Sequence, residues 1–272
     1  MRSTNRSSTA ARALPLAVLL ATSLSLPGIA AAAEDLPQPD LSADGLPATN
    51  GAANMRPAAT AARVSGDRLT ATTWAGYDGG TRVPLLTATA EARIVGRVVF
   101  VAGAGFIADA AGSPAARPQI GLRAQLLDQA SHGVDGGAAV MYRQDLFASE
   151  EGFIQGAIAL ERRQGRVRIV GDLLYGQDGE GDDRDGEAHL AALVAARPGL
   201  LVGVDGRYRH ALWSSDPNRT ARARPAYELL AGPSVSYAHG SLAVMGETGV
   251  STVGTTSTRT GVVALVGIGS TF

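Results

Sequence analysis

From about residue 67 to the end of the chain, apolar and polar side chains alternate in short runs. In Thr87–Ile94 one parity holds Thr87, Thr89, Glu91 and Arg93, and the other holds Ala88, Ala90, Ala92 and Ile94. The segment Gln119–Leu126 sets Gln119, Gly121, Arg123 and Gln125 against Ile120, Leu122, Ala124 and Leu126. Val202–Arg209 again keeps Asp205, Arg207 and Arg209 on one side. A period of two places successive side chains on opposite faces of a sheet, so each run reads as a strand with one polar and one apolar face. Sustained helical periodicity is absent, and the chain is predicted to be all-β.

Gly, Pro, Asp and Ser clusters divide this region into twelve predicted strands: 67–76, 84–95, 97–108, 119–129, 133–145, 152–163, 166–176, 187–197, 200–211, 226–238, 241–252 and 260–272. Most reach the roughly 9–11 residues that a tilted strand needs to cross a bilayer. The connections alternate. Short ones fall at Gly96, Ala130-Ser131-His132, Gln164-Gly165, Pro198-Gly199 and His239-Gly240. Longer or more polar ones fall near 77–83, 109–118, 146–151, 177–186, 212–225 and 253–259. The chain closes on Val262-x-Ala264-x-Val266-x-Ile268-x-Ser270-x-Phe272, a period-two strand running to a terminal aromatic.

These features together resemble the bacterial outer-membrane β-barrel proteins as a general class, over about residues 67–272; no narrower family is singled out. The resemblance implies a closed antiparallel transmembrane β-barrel of about twelve strands, with short periplasmic turns and longer outer loops. It also implies that the C-terminal strand is read by the barrel-assembly machinery; Ser270 departs from the pattern, which usually has an apolar residue there. With Phe272 at the periplasmic side, Phe106, Tyr142, Tyr175 and Tyr208 fall on the lipid-facing parity near the outer ends of rising strands. Tyr237 and Phe272 fall near the periplasmic ends of descending ones. Aromatic rings gather at both membrane interfaces, so these six are expected interface anchors, and outer-membrane lipids are expected partners.

The N-terminus sets the compartment. Arg2, Arg6 and Arg12, the apolar run 13–26 and the small-residue exit before Glu34 predict a signal peptide over residues 1–33, hence export to the outer membrane. Residues 34–66 are rich in Pro, Ala, Gly and Asp without a period and are predicted to be a disordered periplasmic linker. The chain has no cysteine, which excludes disulfides, Cys-bound zinc and thiol catalysis. All 24 basic residues are arginine; the leader takes three, leaving 21 against 25 carboxylates in the remainder. That balance gives no reason to expect nucleic acid.

The polar parity of the predicted strands carries most of the charge. On the first strands it holds Glu91, Arg93, Arg97 and Arg123, then Asp135, Arg143, Asp145, Glu161, Arg168 and Asp172. Further on come Glu187, His189, Arg197, Asp205, Arg207, Arg209, Glu228 and Glu247. Such a set either lines an aqueous path that screens solutes by charge or knits a filled interior through Arg–carboxylate pairs. Twelve strands lie between small filled barrels and wide porins. The expectation is a narrow passive channel for small polar solutes or ions. The alternative is a closed-lumen structural or surface-interaction barrel that works through its outer loops.

Other chemistry is weaker. The stretch 178–187 holds six carboxylates but breaks the EF-hand pattern at Asp183, so a solvated acidic loop is expected, with no metal and no cofactor. His210 with Ser214, Ser215 and Asp216, and His239 with Ser241, leave open a membrane-embedded lipid hydrolase. Neither group matches a nucleophile elbow, and no catalytic residue is assigned.

Overall fold

The computed structural model describes residues 68–80, 83–108, 114–143, 152–179, 183–214, 226–254 and 258–272. The expected signal peptide and linker lie outside the described residues.

Twelve strands follow one another along the chain. They are β1 (Leu69–Asp78), β2 (Val83–Val95), β3 (Val98–Ala108), β4 (Pro114–Leu127), β5 (Asp135–Arg143), β6 (Phe153–Gln164), β7 (Val167–Asp178), β8 (Asp183–Arg197), β9 (Leu200–Ser214), β10 (Tyr227–His239), β11 (Leu242–Gly254) and β12 (Thr258–Thr271). Each pairs antiparallel with its sequence neighbours, and β1 pairs with β12, so the sheet is a closed barrel. Every expected strand is present. The larger differences lie at the ends facing the longer loops; at the other rim β1 and β5 begin, and β4 ends, two residues inside the expected bounds. β4 begins at Pro114 and β8 at Asp183, while β9 runs on to Ser214. Turn-forming residues such as Pro118 and Gly186 made these stretches read as loops. Within a closed sheet the neighbouring strand supplies partners that extend the ladder past such residues: Pro118 stands opposite Ala104, and Gly186 opposite Tyr175.

The short connections follow local turn chemistry. Four are two-residue turns, and each contains a glycine at positive φ: Gly96, Gly165, Gly199 and Gly240, with φ between 51 and 74. That region strains any side chain, which is why tight hairpins select glycine. The fifth connection is a single helical turn, α1 (Gln129–His132), where a plain turn was expected. Asp128 caps it by accepting from the Ala130 amide at 2.9 Å, and Gly133 ends it in the left-handed conformation. Gln129 then acts as a substitute strand residue. Its side-chain Nε2 donates to the Arg163 carbonyl at 2.5 Å and its Oε1 accepts from the Arg163 backbone amide at 2.9 Å, which ties α1 to the end of β6.

All five short connections and the β1–β12 seam meet at one rim, because the strands alternate in direction around the ring. The seam reaches the last residue: the amides of Arg68 and Leu69 donate to the Phe272 carbonyl at 3.1 and 3.3 Å, and the Phe272 amide donates to the Leu69 carbonyl at 2.9 Å.

β10 and β11 approach each other closely around Gly232 and Gly249. Their register skips Gly232 and Pro233, and a Cβ on Gly249 would stand 2.2 Å from the Ala231 carbonyl oxygen. Backbone cannot yield as a flexible side chain can. Gly249→Ala is therefore expected to destabilise the refolded barrel by about 1–3 kcal/mol, the usual cost of forcing extra atoms into a packed site. A urea titration in detergent reads this as a lower midpoint with unchanged slope.

Candidate functional site

The closed sheet has two faces, and the sequence parity decides which side chain goes where. Outward positions are aliphatic: Leu122, Val140, Ile158, Val204, Val244 and Val266 are all more than half exposed. Inward positions carry the charge. Every strand carboxylate whose side chain is described is buried, from Asp78 on β1 to Glu247 on β11, at 1–5% exposure. Ionised groups removed from water need partners, and here arginines supply them.

Two charged clusters result. Near the short-turn rim, Arg123 on β4 reaches past β3 to Glu91 on β2 at 2.5 Å. Beside it, Glu161 on β6 accepts from Arg163 at 2.7 Å and from Arg168 on β7 at 2.9 Å, and Arg163 also lies 3.7 Å from Asp135. The second cluster lies toward the opposite end and centres on Glu187 of β8. Arg207 and Arg209 approach this carboxylate from β9 at 3.3 and 3.9 Å. His189 approaches it through Nε2 at 3.4 Å and turns Nδ1 toward Asp172 on β7 at 3.1 Å. Arg143 reaches it from β5. Arg207 also contacts Glu228 on β10 at 3.4 Å, and Arg209 pairs with Asp185. The network spans β5 and β7–β10. Its Arg143–Glu187 link spans the interior, since β6 and β7 separate those two strands in the wall.

The remaining arc of the wall holds an apolar cluster beside the buried carboxylates Asp78 and Glu247. Trp74, Leu85, Leu230, Met245, Val263 and Leu265 form one buried cluster from β1, β2, β10, β11 and β12. The Trp74 ring fits against Gly267, where a Cβ would meet ring atoms at 2.7 Å. Around it stand buried hydroxyls, among them Thr70, Thr72, Thr87, Thr89 and Ser251. The ion pairs named above run from β2 to β10, and the apolar cluster with its neighbouring hydroxyls lies on β1, β2 and β10–β12.

Among the expected interior residues, Glu91, Arg123, Arg143, Glu161, Asp172, Arg207 and Arg209 are buried members of these clusters, together with Asp135, Glu187, His189 and Glu228. Asp205 and Glu247 are buried, and Arg93 and Arg168 are partly buried on the same parity toward the short-turn rim. Two expectations are corrected. Arg97 does not line the wall; it sits exposed in the β2–β3 turn and pairs with Asp128 at 2.6 Å, because Gly96 and Arg97 together form the hairpin corner. Arg197 points outside, its guanidinium 5.7 Å from the centre of the Tyr237 ring, since an irregularity after Ala195 shifts the parity at the end of β8. Asp145 lies outside the described residues.

The acidic stretch is also corrected. Asp178, Asp185 and Glu187 are buried in strand ends rather than solvated in a loop, because β7 and β8 extend into that stretch. Asp78, Asp178, Asp185, Gln119, Gln155 and Phe153 are interior residues that the sequence reading did not select. Longer strand boundaries would have put Asp78, Asp178 and Asp185 on the inward parity.

Tyr142, Tyr175 and Tyr208 face outward toward the long-loop end; Tyr237 and Phe272 face outward at the short-turn end. Phe106 lies in β3 opposite Leu86. Tyr77 and Phe100 join the outward aromatics. His210 stacks on Tyr208, with ring centres 6.1 Å apart, on the outer face of β9. His239 and Ser241 are exposed at the short β10–β11 turn. Ser215 and Asp216 lie outside the described residues. Among the described residues, no cluster of three or more His, Asp or Glu side chains has the arrangement of a metal site.

No protein-family model matches the chain, and no curated protein matches it in sequence. Among solved structures, it is similar to the NanC porin, with a TM-score of 0.54 at 9% identity, covering 74% of this chain and all of that one. The fold is that of a bacterial outer-membrane β-barrel. An outer membrane channel from Pseudomonas putida F1 aligns at a TM-score of 0.48 and 10% identity, over 76% of this chain and 96% of that one. The translocator domain of autotransporter NalP from Neisseria meningitidis aligns at 0.44 and 14%, over 76% and 89%. At such identities the likeness concerns architecture, and the interior of this outer-membrane barrel has to be understood from its own residues.

Proposed function

We propose that the protein is an outer-membrane barrel serving as a narrow passive channel for small polar solutes or ions, its path barred in this state by its own side chains. The observation that carries the reading is the charge buried throughout the interior. Packing a barrel for stability alone favours apolar filling, because replacing buried ion pairs with hydrophobic residues of similar volume is often neutral or stabilising. Retaining a dozen or so ionised side chains inside suits a path that exchanges its internal partners for passing ions and water. The aliphatic outer belt and the aromatics near both rims support membrane residence. The barrel-assembly machinery is the expected partner of the C-terminal strand, and no enzymatic step is assigned.

A second reading has its own support. Inward side chains around the ring are almost fully covered, and the Arg143–Glu187 link lies across the interior. Those features suit a permanently closed lumen whose working surface is its outer loops.

Single-channel recording separates the two. The full chain, refolded in detergent and added to a planar bilayer, is expected to give small, discrete steps. Silence from a sample with a folded barrel's heat-modifiable gel mobility would overturn the channel and leave the closed barrel.

A further inference from the structure

One strip of the inner wall is bare backbone. Gly103 and Gly105 are both inward positions of β3, and the register sets polar residues on either side of each. Thr89 on β2 and Gln119 on β4 flank Gly103; Thr87 and Arg117 flank Gly105. The two glycines differ in what lies over them. A Cβ on Gly103 would stand 2.7 Å from Gln119 Nε2 and 2.8 Å from the Thr89 methyl, so those side chains already close over it. A Cβ on Gly105 would find its nearest atoms, on Arg117 and Thr87, at 3.8 Å. Space therefore remains between Thr87 and Arg117, toward the long-loop end of the lumen.

The groups beside that space have donors to give. Gln119 is 3% exposed, and its Nε2 has no hydrogen-bond partner among the described residues. The Arg117 Nε is buried and equally without one. Arg123, Arg143, Arg163, Arg168, Arg207 and Arg209 all reach carboxylates, and Arg117 joins none of those pairs. A buried polar group that the protein does not satisfy is left for water or a ligand. Arg117 and Gln119 are successive inward residues of β4, so their backbones stand roughly 7 Å apart and both side chains border the glycine strip. Gln119 also stands beside Arg143, whose guanidinium crosses the interior to Glu187.

We propose that Arg117 and Gln119 bind the carboxylate of a small anionic solute over Gly105, on the long-loop side of the Arg143 link. The guanidinium supplies the charge and a planar donor edge, and the amide supplies a second donor from the Gly103 side. A carboxylate answers with two acceptor oxygens and one negative charge. The glycine floor lets the solute approach the sheet where a side chain would hold it off. The site deepens the channel reading by naming its solute class and rests on that reading for transport, while binding itself does not require conduction.

The test reads binding without current. The full chain, refolded in detergent, is unfolded with urea in sodium chloride and in sodium acetate of equal concentration. A ligand that binds only the folded barrel raises its midpoint. Acetate is expected to raise the midpoint of wild type and of Arg259→Gln, which removes an exposed arginine at the same rim but outside the site. Arg117→Gln is expected to lose the rise, and so is Gly105→Val, which keeps the arginine but fills the space beside it. The proposal is overturned by no rise in wild type, by a rise that survives either site substitution, or by a loss shared with Arg259→Gln. Arg117 makes no ion pair among the described residues, so Arg117→Gln keeps the test valid if Gly105→Val does not refold. In planar bilayers, the acetate concentration that halves the chloride current is expected to be about tenfold higher for Arg117→Gln. Silent bilayers with the midpoint rise intact would remove the channel and leave the binding site; conducting barrels without the rise would remove the site alone.

Discussion

Glu187→Ala is expected to destabilise the barrel by about 3–5 kcal/mol, the range for breaking a buried ion pair from one side. This carboxylate serves Arg143, Arg207 and Arg209 at once and lies beside His189. Deleting it leaves those guanidiniums in place with less negative charge around them; Arg207 keeps Glu228 and Arg209 keeps Asp185. Glu187→Gln preserves shape and part of the hydrogen bonding but removes the charge, and is expected to fall between alanine and wild type. Urea titration of the refolded protein reads the series. A midpoint for Glu187→Ala within error of wild type would show that the hub contributes nothing to holding β5 and β8–β10 together. The result also discriminates between interiors, because a pair already bathed in water would lose far less than a desolvated one.

Arg143→Ala is expected to act on permeation instead. The link across the interior disappears, while Glu187 retains Arg207, Arg209 and His189, so the barrel should still fold. A hydrogen bond to a charged group contributes about 1.5–3 kcal/mol, and each 1.4 kcal/mol removed from a barrier is about tenfold in rate. Single-channel conductance is therefore expected to rise by roughly an order of magnitude over wild type. The variant should also become more cation-favouring, since a fixed positive charge has left the path. Unchanged conductance in a folded Arg143→Ala barrel would mean that the bar does not control passage. If wild type and variant are both silent, the lumen is closed by more than this bridge.

The strand pattern was legible because it rests on the simplest property of a sheet. Thr87–Ile94 and Gln119–Leu126 sort cleanly by parity, and in the barrel Glu91 and Arg123 are indeed turned inward while Ile120 and Leu122 face out. Corners and ends were less legible. Arg97 and Arg197 share their neighbours' parity in sequence, but one sits in a hairpin corner and the other follows an irregularity, so counting by two fails where the backbone stops being regular. Boundaries at the longer loops were misjudged because local turn chemistry at Pro118 and Gly186 is overridden by pairing with strands already in place. The Glu187 hub lay beyond sequence reasoning altogether. Its members are spread from residue 143 to residue 228, and only ring closure brings Arg143 to face β8.

The seam has a kinetic consequence. Eleven of the twelve strand pairings join neighbours in the chain, and one joins β1 to β12. The eleven can grow hairpin by hairpin, each closing a short loop. The twelfth brings together residues such as Thr70 and Thr271 from opposite ends of the sheet, and it can register correctly only once the intervening wall has its curvature. Until then β1 and β12 are open edges, with unpaired amides and carbonyls able to recruit a second copy of the chain. Closure should therefore be the late step of assembly, and crowded or dilute refolding should differ most in how many molecules complete it before their edges meet another chain.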